Sequence, residues 1–440
     1  MNIAITVYTV LKNKISQKYF GESVLFICIG VFSALVCTAY AKLFSLIEHY
    51  SGSLFANNPL IIFIMAPAGL VLSFLLVRWF SPGASGSGIP QVMACVEHSG
   101  LAAKLLRKSV IIIKTISSLL AVSVGAAIGR EGPSLQISAS IAYNLGKVFR
   151  RFRIQPSPEQ ILVAGAASGL AAAFNTPIGG IVYAVEELSK EHIRKFKDIL
   201  LLAVVLSGLT AQAILGNYLY LGNPAMPKHS GFTVFIGITV LSLFCGFLGS
   251  LFSKFLTALI EWRSKKTIST QLVIISLVGL ALATSFYFLG TSSLFSGKEV
   301  INQALFFEQT VSLPVAMSRF FGPLISSMTG VAGGIFAPSL SAGAAIGNFS
   351  AAFFDPEMKI IFTLAGMVGF LNGVTHTPIT SFILVLEMTD RHSVVIPMMS
   401  AAVFSSIGAR LIANKSFYEF AVDRILEAEA LTPKSVPPDK

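Results

Sequence analysis

Residues 161–188 read ILVAGAASGLAAAFNTPIGGIVYAVEEL, an apolar run broken once, at Asn175-Thr176-Pro177. The loops on either side are basic: Lys147, Arg150, Arg151 and Arg153 precede it, and Lys190, Arg194, Lys195 and Lys197 follow it. Basic loops between apolar runs face the cytoplasm. Both ends of the run therefore lie on one side, and the chain enters and returns as two half-helices. The pattern recurs. Ala164, Gly165, Leu170, Thr176, Pro177, Ile178 and Glu186 reappear as Ala365, Gly366, Leu371, Thr377, Pro378, Ile379 and Glu387, each 201 positions later. Two similar halves with broken helices at matching places are a signature of transporters with a midplane site.

Four further breaks have the same character: Gly86-Ser87-Gly88-Ile89-Pro90, Gly129-Arg130-Glu131-Gly132-Pro133, Gly334-Ile335-Phe336-Ala337-Pro338 and His376-Thr377-Pro378. The second and third align at an offset of 205 residues. Proline at the first helical position has no N–H to leave unpaired, so each break reads as a helix starting inside apolar surroundings. The first N–H groups of such a helix have no partner. In a bilayer they persist only where they line a cavity buried in protein. Several positive helix ends meeting there make an anion site without a fixed lysine.

Composition agrees. Of 440 residues, 54% are hydrophobic and 12% charged, and the mean hydropathy is +0.76. Soluble proteins carry about a quarter charged residues. Runs of spanning length occur at 24–45, 60–80, 109–128, 199–219, 232–260, 272–289 and 394–412. The net charge of +11 sits in short loops, which argues against nucleic acid as a partner. Lys12, Lys14 and Lys18 place the N-terminus inside, and Arg410 and Lys415 place the end of the last span inside. Trp79 and Trp262, beside Arg78 and Arg263, read as interface anchors. Cys28, Cys37, Cys95 and Cys245 lack metal-ligand spacing and read as buried free thiols. No metal or cofactor is expected.

Glu131 is the most informative single residue. An ionisable group at membrane depth is costly and usually functional. A helix N-terminus favours its charged form and apolar surroundings its neutral form. It can therefore occupy an anion site when charged and carry a proton when neutral; the plainer reading is a capping glutamate paired with Arg130. Ser87 is either an anion donor or an ordinary N-cap. Gly334 to Pro338 offers the amides of Ile335 and Phe336, or a tight turn. Glu186 and Glu187, adjacent at a helix end, read as solvated acids. Tyr418 alone reads as an interfacial aromatic.

Three of the breaks (Gly86, Ser87, Gly88, Ile89, Pro90; Gly129, Arg130, Glu131, Gly132, Pro133; Gly334, Ile335, Phe336, Ala337, Pro338) resemble the anion-pore signatures of the CLC chloride channel and transporter family. The segments at 166–188 and 384–390 resemble its bacterial H+/Cl− exchangers, and the likeness covers about residues 20–425. The resemblance implies an all-α polytopic membrane protein with a CLC-type inverted repeat and re-entrant helices, working as a homodimer with one pore per subunit. It implies Glu131 as external gate and proton carrier and Glu187 as internal proton-transfer residue. Ser87, Tyr418 and the amides of Ile335 and Phe336 would coordinate the anion. Ser87, where nitrate-preferring members have proline, implies chloride; the form of the second motif and Tyr418 argue against the fluoride-exporting branch. One departure stands out: Gln91 and Met93 occupy positions where close bacterial relatives carry acids, which removes a carboxylate partner for Arg130.

The expectation is one transmembrane domain over 1–440. Residues 1–20 form a cytoplasmic helix that is not a cleaved leader, 21–220 the first repeat, 230–425 the inverted second repeat, and 426–440 a short cytoplasmic tail with no regulatory domain pair. The membrane is a bacterial inner membrane, and the function is exchange of chloride for protons, not enzymatic. The alternative within transport is a passive voltage- or pH-gated chloride channel. A distant rival is an intramembrane serine hydrolase using Ser87 with His376, which needs a base beside the nucleophile.

Overall fold

The computed structural model describes residues 2–188, 197–216, 219–225, 232–307, 310–354, 356–389 and 392–430. Lys190, Arg194, Lys195, Asp390 and the tail from 431 lie outside the described residues, as do the side chains of Lys12, Lys14, Lys18 and Lys197. The helices in order are α1 (Asn2–Asn57), α2 (Ile62–Phe80), α3 (Ile89–Glu97), α4 (Ala102–Leu105), α5 (Lys108–Ser123), α6 (Glu131–Arg150), α7 (Pro158–Phe174), α8 (Pro177–Tyr183), α9 (Lys197–Leu215), α10 (Phe232–Ser264), α11 (Ile268–Leu289), α12 (Lys298–Phe306), α13 (Leu313–Met328), α14 (Phe336–Ala351), α15 (Lys359–Thr375), α16 (Pro378–Thr389), α17 (Val395–Arg410) and α18 (Phe417–Ala428). Residues 2–20 run without a break into the first span.

Among the described residues, five helices are long and apolar enough to cross a membrane: Tyr19–Asn57, Ile62–Phe80, Asp198–Leu215, Val234–Ser264 and Ile268–Ser293. Several others are too short. The 16 residues of α14 reach about 24 Å at 1.5 Å per residue, short of the ~30 Å hydrocarbon core. The run at 109–128 is also shorter than expected as a helix. The α5 helix stops at Ser123, and Gly125, in the left-handed region at φ 89°, turns the chain out of it. Residues up to Gly129 are then free to pair with the other half of the chain.

All five breaks start helices, with one correction. Of these five, proline holds the first helical position only in α8 and α16. In α3 it is the second residue, and in α6 and α14 the third. It stays within the first turn, where its missing N–H removes nothing. The amides just before it remain: Glu131 and Gly132 in α6, Phe336 and Ala337 in α14.

The repeat is present in the backbone. Asn175 ends α7 at φ 57° and His376 ends α15 at φ 55°, both left-handed caps at matching positions. The pair α6–α7 corresponds to the pair α14–α15. These helices pack backbone to backbone through small residues. A Cβ on Gly343 of α14 would overlap the Gly366 carbonyl of α15, and a Cβ on Gly366 the Gly343 carbonyl. Around these pairs large apolar side chains such as Ile64, Phe288 and Ile396 face outward, as the surface of a multi-pass membrane protein does.

Candidate functional site

The three glycine-rich motifs meet at one place, joined by backbone. Gly129 and Gly334 exchange two N–H···O bonds of 2.7 Å. Gly86 donates to the Val331 carbonyl and accepts from Gly333 N–H, both at 3.1 Å. Together these contacts bring the starts of α3, α6 and α14 to one point. None of the three starts has a side-chain cap. By contrast, Ser157 and Ser416, at the starts of α7 and α18, form complete capping boxes. Among the described residues, the Ile335 and Phe336 amides find no acceptor.

The side chains singled out by sequence converge here. Glu131 and Tyr418 are fully buried and Ser87 nearly so. Both Glu131 oxygens, Ser87 Oγ and Tyr418 Oη lack a hydrogen bond of ordinary geometry. The Tyr418 hydroxyl nonetheless lies within interaction range of Ser87. The Glu131 carboxylate faces its own N–H and that of Ala337. It thus lies between the starts of α6 and α14, where the dipoles favour negative charge. The glycines make room for this arrangement. A Cβ on Gly132 would overlap Ser87 Oγ, and one on Gly129 would overlap Glu131 Oε2.

Arg130 reaches α1 instead of an acid on α3. Its Nη1 donates to the Ala41 carbonyl at 2.5 Å and to Ser45 Oγ at 2.6 Å, and its guanidinium sits 5.5 Å from the Tyr220 ring centre. Glu48 supplies the nearby negative charge. Gln91 donates at 2.7 Å to the Ser85 carbonyl and so holds the loop before Ser87.

A buried lysine lies under the site, turned away from the anion donors. Lys114 Nζ donates to the Ala84 carbonyl at 3.1 Å and the Gly86 carbonyl at 2.8 Å, behind the Ser87 loop. Its position inside the apolar run at 109–128 was the signal that sequence reasoning passed over.

Glu187 is almost fully buried. Glu186, expected to be solvated, instead accepts from Ile379 N–H at 2.9 Å, from Thr380 N–H at 2.6 Å and from Thr380 Oγ1 at 2.7 Å. It caps α16. The adjacent acids diverge within a π-helical turn, Ala184–Leu188, a geometry often found at functional sites. Tyr183, fully buried with an unpartnered hydroxyl, lies in interaction range of both Glu187 and Tyr418. Its ring meets Phe336 edge-on at 6.3 Å. Among the described residues, Ser87 Oγ donates no hydrogen bond of ordinary geometry, and His376 ends α15 as its left-handed cap.

Comparison with known proteins agrees with this architecture. Residues 68–410 match the family model described as voltage gated chloride channel. The H(+)/Cl(−) exchange transporter ClcA of Vibrio parahaemolyticus is 27% identical over 387 residues, covering 83% of this chain and 80% of that protein. The protein of the same name from Vibrio vulnificus is 28% identical over 393 residues, covering 85% and 82%. The crystal structure of a slow cyanobacterial Cl−/H+ antiporter superposes with a TM-score of 0.83 at 23% identity, covering 93% of this chain and 99% of that one. With its three pore motifs joined at one buried point and most of its length matched, the chain belongs to the voltage-gated chloride channel family.

Proposed function

We propose that this protein exchanges chloride for protons across a membrane. The observation that carries the reading is the fully buried Glu131 carboxylate between two uncapped helix starts, beside the unpartnered hydroxyls of Ser87 and Tyr418. Charged, the carboxylate takes the place an anion would take, held by amides and dipoles. Protonated, it loses that attraction and yields the place to chloride. Ser87 Oγ, Tyr418 Oη and the Ile335 and Phe336 amides then supply donors to the ion. One carboxylate alternating between the two states couples the anion to the proton. The relatives named as H(+)/Cl(−) exchangers support this reading over a passive channel.

Protons reach the inside by a second route, through Glu187. Tyr183 lies in interaction range of both Glu187 and Tyr418, and its hydroxyl serves as the stepping stone. Lys114 fixes the Ser87 loop from behind.

The working unit is a homodimer with one pore per subunit, in a bacterial inner membrane with both termini inside. The half-helix ends support a dimer. Ile178 and Ile379, at the starts of α8 and α16, are 57% and 51% exposed, and the carboxylates capping these starts lie beside them. Backbone and carboxylate facing lipid at membrane depth is unfavourable. A second copy covering this face removes that conflict.

The test is transport by the purified protein in liposomes. An imposed chloride gradient is expected to drive protons uphill. Chloride flux without proton movement would assign the chain to the passive channel.

A further inference from the structure

Three arginines converge on a pocket that the transport reading does not use. It has a volume of about 460 Å³ and is lined by the ends of α2, α10 and α11 and by two loops, at Ser85 and at Gly330. Arg78 and Arg263 line it. Arg424 of α18 reaches its rim, its Nη2 3.5 Å from Ser264 Oγ. Both Arg78 and Arg424 lie in electrostatic range of Arg263.

Arg263 is fixed in place by its neighbours. It is 7% exposed, and its Nε is buried without a partner. Nη1 donates at 2.7 Å to Gln271 Oε1, whose own amide donates at 2.9 Å to the Lys266 carbonyl. The guanidinium lies 5.3 Å from the Phe74 ring centre. Gly330 leaves it room, since a Cβ there would come within 2.7 Å of Nη2.

Among the described residues no acid lines the pocket. Among the described residues none of the three arginines forms an ion pair, while Glu261 pairs with Lys265 at 2.5 Å and Asp423 with Lys415 at 2.6 Å. Glu261 lies in range of Arg424 but lines no part of the pocket. Arg78 and Arg263 occupy last turns of α2 and α10, where a cation suits the dipole. That accounts for one charge at each end. It does not account for like charges gathered around a cavity, with a buried donor left over.

We infer that this pocket binds a phosphate group. Guanidinium forks match phosphate oxygens in pairs, and several together are the usual means of holding such a group. The volume falls within the range of about 300–1,000 Å³ typical of ligand pockets. Trp79 lines the rim and is 68% exposed, as at a membrane interface, so the headgroup of an anionic lipid has direct access. Free phosphate shares the same chemistry. The pocket wall includes Ser85, two residues before Ser87, and Ser85 Oγ donates at 2.9 Å to the Gly330 carbonyl. An occupant would therefore rest against the loop that holds the anion donor.

The test uses the full chain in neutral detergent, with binding read by native mass spectrometry. Three probes are added separately: short-chain phosphatidic acid, the matching phosphatidylcholine and inorganic phosphate. The expected result is one phosphatidic acid per chain and no phosphatidylcholine. Binding weakens at least about tenfold in Arg263→Gln and in Arg78→Gln, and is unchanged in Arg151→Gln on another basic loop. Arg78 is exposed, so its variant retains the fold and keeps the test decisive if Arg263→Gln does not. Inorganic phosphate that binds with the same arginine dependence and displaces the lipid assigns the site to free phosphate; inorganic phosphate that does neither assigns it to the lipid. Absence of binding by both phosphate probes, or equal binding in all variants, or an equal loss in Arg151→Gln, would overturn the site.

Discussion

Glu186 and Glu387 cap each other's half-helices. Glu186, in the turn after α8, accepts from the Ile379 and Thr380 amides at the start of α16. Glu387, near the end of α16, accepts from the Ile178 and Gly179 amides at the start of α8, at 3.0 and 2.7 Å. Donors and acceptors are related by the same 201-residue offset that relates the two halves. The caps interlock the inverted repeats where each re-enters the membrane.

Replacing Glu387 with alanine leaves two amides at the start of α8 without acceptors. Unsatisfied groups of this kind cost about 1–3 kcal/mol. The expected result is a fall of several degrees in the thermal unfolding midpoint in detergent. Glu186→Ala is expected to fall at least as far, because it also loses the Thr380 hydroxyl. An unchanged midpoint in both would remove the interlock from the account of the fold.

Glu187→Gln is expected to reduce chloride-driven proton movement at least about tenfold while chloride flux stays within about twofold of the parent. Both fluxes are measured in the same liposomes. Normal proton pumping by this variant would place the inner route elsewhere.

Tyr183→Phe deletes one buried hydroxyl and keeps the ring against Phe336. Proton movement is expected to slow about tenfold, or about 1.4 kcal/mol on the barrier, with chloride flux retained. If both fluxes fall together, the ring shapes the pore and the hydroxyl carries no proton.

The breaks and the repeat were legible because both are local. Asn175-Thr176-Pro177 must end one helix and start another wherever it occurs, and His376-Thr377-Pro378 repeats it. Glu131 was legible as an acid in an apolar run. Lys114 carries the same signal and was missed beside the more prominent glycine motifs. The role of Glu186 was not readable, because its donors lie across a contact of about 190 residues and two adjacent acids look alike until a π turn separates them. Tyr183 looked like any aromatic on a buried helix; only the positions of Glu187 and Tyr418 distinguish its hydroxyl. The partner of Arg130 was sought on α3, while α1, distant in sequence, supplies it.

Ser87→Pro removes a hydroxyl donor from the proposed anion site. A hydroxyl favours the smaller, more strongly hydrated anion. Nitrate transport relative to chloride is expected to rise about fivefold, or about 1 kcal/mol in discrimination, with proton coupling kept. Unchanged relative rates would exclude Ser87 from selection.

The central claim is that one carboxylate serves both ions. Glutamine at position 131 imitates only the neutral form and cannot alternate. The deciding measurement is chloride-driven proton uptake by Glu131→Gln beside the parent, in liposomes of the same preparation. The account predicts chloride flux that no longer depends on external pH and no uphill proton movement. Proton uptake at the parent's rate in this variant would contradict it.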